Sequence, residues 1–131
     1  MSIRLLALIS LVEAVGLLVY GVYEAVQGVR LGATGPAEVS NVPAIIVQVL
    51  IFAVLGIGMV FVARGWWQWR RWARAPFILA QLIGLLVGIP IAQTTEAGPR
   101  IAGFAQTVLA IGGIIVALTP AVTRSLQAPR N

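Results

Sequence analysis

The sequence predicts an all-α polytopic membrane protein, with four transmembrane helices in an up-down bundle and both termini cytoplasmic. Three observations predict it. Hydrophobic residues fill 60% of the 131 positions and charged residues only 10%, with a mean hydropathy of +0.98. A soluble chain carries about 25% charged residues and under about 50% apolar ones, and a fold of this size could not leave the excess apolar surface in water. The apolar residues collect in four runs, 3–26, 42–63, 75–92 and 101–119. Each is close to the about 20 residues that cross about 30 Å of hydrocarbon, whereas barrel strands would be about half as long and would alternate in polarity. The arginines, finally, are unevenly divided between the two ends of these runs.

The first run has one arginine, a glutamate in its middle and no small-residue cleavage site, so it reads as a spanning helix and not as a secretory signal. Ser40 and Asn41 stand before Pro43, a cap followed by proline in the first turn of the second helix. Pro76 plays the same part for the third. Pro90 falls in the last turns of that helix, where a kink is expected, and Gly98-Pro99 is expected to break the chain before the fourth. Pro120 ends the fourth helix. Residues 1–120 thus read as one transmembrane domain and 121–131 as a short, mobile cytoplasmic tail.

Orientation follows from the arginines. Arg4, Arg64, Arg70, Arg71, Arg74, Arg124 and Arg130 fall on one side, and only Arg30 and Arg100 on the other. The richer side is the cytoplasm of a bacterial inner (plasma) membrane. Glu24, Glu38 and Glu96 all fall on the outer side.

Composition also excludes function classes. Cysteine and histidine are absent, which removes disulfides, thiol nucleophiles and the usual zinc and haem ligand sets; no metal or cofactor is expected. The basic balance is all arginine, placed between apolar segments, so topology explains it and nucleic acid does not. Catalysis needs convergent polar groups, and the spans offer one acid, three amides and a few hydroxyls. The expected function is an accessory or structural subunit with no catalysis of its own. Four short helices bury little surface alone, so a homo-oligomer or a larger membrane complex is expected.

Within the runs, one polar side chain stands out per helix: Glu13, Gln48, Gln81 and Gln106. Small residues accompany them at helical spacing, as in Gln81-Gly84-Gly88 and Gly103-Gln106-Ala110-Gly113. Such patterns let helices approach closely while an amide hydrogen-bonds across. Glu13 differs, because an ionisable group at mid-membrane suggests function. With Gly16, Tyr20, Glu24 and Gln27 it forms one helix face from mid-membrane to the outer surface. That face suits a proton or cation path, and equally a packing face with Glu13 held as a neutral acid. Counting 1.5 Å per residue puts Glu13 about 12 Å and Gln81 about 8 Å from the inner boundary, with Tyr20, Gln48 and Gln106 at about 20–22 Å. Two polar layers are therefore expected, Glu13 with Gln81 and Tyr20 with Gln48 and Gln106. Residues 13–19 also align with 81–87, so two similar hairpins in the same orientation are a further expectation.

The segment 64–74 holds all four tryptophans among four arginines: Arg64, Trp66, Trp67, Trp69, Arg70, Arg71, Trp72 and Arg74. Trp66, Trp69 and Trp72 recur every three residues, as on one side of an interfacial helical turn. An aromatic belt with positive-inside charge accounts for this composition. The same groups would attract anionic lipid head groups at the cytoplasmic face.

Two resemblances are carried by these residues. The Arg-only charge set and Arg71-Trp-Ala-Arg-Ala-Pro76 leading into Gln81-Leu82 resemble, over the full length, the small four-helix membrane proteins of actinobacteria, a group without known activity. Glu13-x-x-Gly16 with a second acid at Glu24 resembles helix one of the small multidrug resistance transporters. That resemblance implies proton-coupled exchange of a small molecule through Glu13. It stops at helix one, since helix three here has Phe77 as its only aromatic residue and lacks the family's aromatic and glycine-rich pattern.

Overall fold

The computed structural model describes residues 2–31 and 42–128. Five α-helices occur among them: α1 (Ser2–Leu31), α2 (Val42–Trp67), α3 (Arg74–Ala92), α4 (Ala97–Leu118) and α5 (Pro120–Gln127), with a 3₁₀ turn at Arg71–Ala73 before α3. The described residues contain no strand. At 1.5 Å per residue α1 to α4 measure about 45, 39, 28 and 33 Å, and all four are long and apolar enough to cross a membrane. The chain is thus all-α with four membrane-length helices. The Ser40–Asn41 cap and Glu38 lie outside the described residues.

The chain divides into two compact units. One holds residues 11–61, most of α1 and α2. Here α1 meets α2 through small residues: a Cβ on Gly28 would stand 2.8 Å from Ile45, one on Gly21 3.0 Å from Phe52, and one on Gly56 2.7 Å from Leu18. Descending numbers on α2 against ascending ones on α1 make the pair antiparallel. Phe52 also meets the Tyr20 ring edge-on at 5.0 Å.

The other unit holds residues 1–10 and 62–131, and its body is the α3–α4 pair. The buried side of α3 is Phe77, Gln81 and Gly88, and that of α4 is Gly103, Ala110, Gly113 and Ala117. Leu79, Leu86, Ile101, Phe104 and Ile115 are exposed, Leu86 at 76%. Small residues inside and large apolar ones outside invert the order of a water-soluble bundle. That order suits lipid, where close van der Waals contact draws helices together and apolar surface need not be hidden. Gly103 shows how close the approach is. A Cβ there would strike the Ala92 nitrogen and stand 2.7 Å from the Ile91 carbonyl carbon and 2.8 Å from the Gly88 oxygen, all backbone.

Several boundaries differ from the sequence expectation. The break between α3 and α4 is Gln93 to Glu96, and Gly98-Pro99 lies inside the first turn of α4. Proline lacks only an N–H that a first turn leaves unbonded. Pro120 ends α4 and also begins α5: Thr119 is extended (φ −62°, ψ 144°), as a residue before proline should be, and Pro120 takes the first position of the next helix. The expected mobile tail is therefore a helix as far as Gln127, with Val122 and Leu126, one turn apart, both buried. The internal repeat is not expressed in packing. Gly84 faces Gln106 across the α3–α4 seam, whereas its counterpart Gly16 has no atom within 4 Å of where a Cβ would be.

Candidate functional site

The intramembrane polar residues fall into separate settings. Gln81 is fully buried on α3, with its side-chain carbon 3.4 Å from the Cβ position of Gly113 on α4. One turn on, the Gln106 amide nitrogen lies 2.6 Å from the Cβ position of Gly84, and Thr107 sits against Gly88 while donating to the Gly103 carbonyl at 2.8 Å. Gln81 and Gln106 therefore both occupy the α3–α4 seam, each in a notch left by a glycine of the opposite helix.

On α1, Glu13 is half-buried beside the open Gly16 position. Glu13, Gln81 and Gln106 each have an interaction partner in the fold. Further along α1 the Tyr20 hydroxyl and the Glu24 carboxylate stand one turn apart, and the Gln27 amide donates to the Tyr23 hydroxyl at 2.9 Å. Gln48 is exposed on α2. Phe52, one turn further along α2, meets the Tyr20 ring edge-on.

The segment 64–74 is a helix end, a tight turn and a 3₁₀ turn, so Trp66, Trp69 and Trp72 do not share one side. Trp66, in the last turn of α2, is fully buried and meets Phe77 edge-to-face at 5.6 Å. Its indole nitrogen is buried without a hydrogen-bond partner among the described residues. Trp67 and Trp72 are exposed. Gly65 lets the 3₁₀ turn fold back onto α2: a Cβ there would stand 2.9 Å from both Ala73 and the Trp72 ring.

The chain reverses at Trp69, whose φ of 58° is the only positive value among non-glycine residues described. Arg70 N–H donates to the Gly65 carbonyl at 2.8 Å and Trp69 N–H to the Trp66 carbonyl at 3.0 Å. These two bonds form a Schellman motif, in which the left-handed position is usually glycine. Across the turn, Arg71 Nε donates to the Leu126 carbonyl at the end of α5 at 2.8 Å. A cation at a helix C-terminus also meets the negative end of the helix dipole.

Sequence reasoning missed this link between turn and tail. The signal available was the i, i+4 pair Val122 and Leu126 after Thr119-Pro120, a short amphipathic pattern. Among the described residues no group of three or more potential metal-ligating side chains occurs. Comparison with protein-family models, with curated proteins and with solved structures returns no match.

Proposed function

We propose that this chain is a multi-pass protein of the bacterial plasma membrane that serves as an accessory or structural subunit of a membrane assembly, with both termini and the α2–α3 turn in the cytoplasm. The observation that carries the structural role is the placement of Gln81 and Gln106 in glycine notches of the α3–α4 seam. Amides used in this way hold helices together and leave little for a translocation path along that seam. The orientation rests on the seven-to-two arginine division. A reporter placed after Asn131 or near Trp67 is expected to read cytoplasm and one near Ala37 the exterior. A cytoplasmic reading at Ala37 would reverse the assignment.

A second reading has one observation in its favour. Glu13 stands at mid-helix on α1, half-buried beside an open glycine position, and an intramembrane acid in such a place could carry protons for a coupled transporter. Glu13→Gln separates the two. A neutral amide resembles a protonated acid in size and hydrogen bonding, so under the structural reading the substitution is nearly silent. Glu13→Leu should then weaken the fold by about 1 kcal/mol, the scale of an interhelical hydrogen bond in a membrane. Proton flux into liposomes and unfolding in detergent, measured on the same variants, decide it. A Glu13→Gln protein of unchanged stability that loses a proton-coupled flux establishes the transporter instead.

A further inference from the structure

The α2–α3 turn and the C-terminal end of α5 border an open recess of about 730 Å³, lined by Gln68, Trp69, Arg70, Arg71, Leu126 and Ala128. Three features of it are left over by the structural role.

The first is charge without counter-charge. The sequence has no acid between Glu38 and Glu96 and none after Glu96. Within this unit Glu96 stands at the far end of the α3–α4 pair, beside Arg100. Two guanidinium groups line one recess, with Arg64, Arg74 and Arg124 in the same unit, and Glu96 is the only acidic side chain among the described residues of that unit.

The second is strain. A left-handed residue with a side chain costs about 1–2 kcal/mol relative to glycine, and here it is a tryptophan that lines the recess. The Schellman turn would form more easily with glycine. Backbone strain of this kind gathers at ligand clamps, where it holds a side chain in place.

The third is preorganisation. The bond from Arg71 Nε to Leu126 fixes that guanidinium against α5, and its planar fork retains four further N–H donors on the two terminal nitrogens. A fixed fork matches the oxygens of a phosphate group.

From these features we infer that the recess binds the phosphate of an anionic membrane phospholipid, with Arg70 and Arg71 as its ligands and the Trp69 indole at its rim. A lipid source is favoured over a soluble phosphate by the surroundings. The recess lies on the turn between two membrane-length helices, and Trp67 and Trp72, next in sequence to its lining residues on either side, are exposed. Tryptophans in such a turn mark the head-group level of the bilayer. The inference does not depend on the subunit role proposed above.

The four tryptophans all lie in this segment, so their fluorescence reports the lipid beside it. The full chain is placed in phosphatidylcholine nanodiscs containing phosphatidylglycerol, with brominated acyl chains on one lipid or the other, and quenching is compared at equal mole fraction. Brominated phosphatidylglycerol is expected to quench more, with a local preference of about 5-fold for each engaged arginine. Arg70→Gln should remove about that factor. Arg64→Gln removes the same charge from the end of α2, outside the recess, and should leave the preference nearly intact; circular dichroism confirms that both variants stay folded. Equal losses from the two variants would show a diffuse positive surface and overturn the site. No preference in the unaltered protein overturns it as well. Loss of the preference on adding millimolar inorganic phosphate or glycerol phosphate assigns the recess to a soluble phosphate and overturns the lipid assignment.

Discussion

Gly103→Ala is expected to loosen the α3–α4 pair by about 3 kcal/mol, near the upper end of overpacking penalties. The three atoms nearest the added methyl are all backbone: the Ala92 nitrogen, the Ile91 carbonyl carbon and the Gly88 oxygen. No side-chain rotation relieves such a clash, so the helices must separate. The better helix propensity of alanine, about 1 kcal/mol over glycine, does not offset it. Two neighbours calibrate the effect. At Gly84 the obstructing atom is the end of the Gln106 side chain, which can swing away, so Gly84→Ala should cost well under half as much. At Gly112 nothing lies within 4 Å, and Gly112→Ala should be neutral or slightly stabilising. Unfolding in mixed detergent micelles, followed by circular dichroism, gives the order. Equal losses at Gly103 and Gly112 would contradict this α3–α4 seam.

Trp66→Ala is expected to produce a loss of similar size, about 3 kcal/mol or more, for the opposite reason. It removes the largest fully buried side chain in the structure and the ring that meets Phe77 edge-on. Truncating a buried tryptophan forfeits its packing and leaves a cavity. Trp66→Phe should be much milder. It keeps an aromatic ring against Phe77 and deletes an indole N–H that is buried without a partner, a group whose desolvation alone costs about 1–3 kcal/mol. Trp67→Ala and Trp72→Ala, at exposed positions, should change stability little. Thermal unfolding of the four variants tests this. A Trp66→Phe protein as unstable as Trp66→Ala would show that the indole nitrogen has a bonding role.

These contrasts show where sequence patterns carry information in a membrane protein. On α3 and α4 the spacing of Gln81, Gly84 and Gly88, and of Gly103, Ala110 and Gly113, marks the facing sides. Small and amide residues are rare enough among leucines and isoleucines to stand out. On α1 the same kind of stripe is only partly a facing side. Gly16 lies on an open side, and the contact with α2 runs through Tyr20 of the stripe together with Leu18, Gly21 and Gly28. A helix that is apolar all round has no hydrophobic period to show which side is inside.

The α2–α3 segment was legible in composition and not in shape. Its arginines and tryptophans are plain in the sequence, but nothing local separates Trp66, fully buried, from Trp67, exposed. That difference depends on Phe77, eleven residues further on. The left-handed turn at Trp69 was equally hidden, since the residue that normally announces such a turn is glycine.

The sequence alone determined the class of this protein and the number of its long helices. A bilayer leaves a backbone little choice: it must bond internally over about 20 apolar residues or not cross at all, and that demand is written in composition and run length. Only the tertiary structure decided which glycines are closed and which open, that Trp66 belongs to the core, and that α5 returns to the α2–α3 turn through Arg71 and Leu126. These depend on contacts between distant residues. Arg71 and Leu126 are 55 positions apart, beyond the reach of any local pattern.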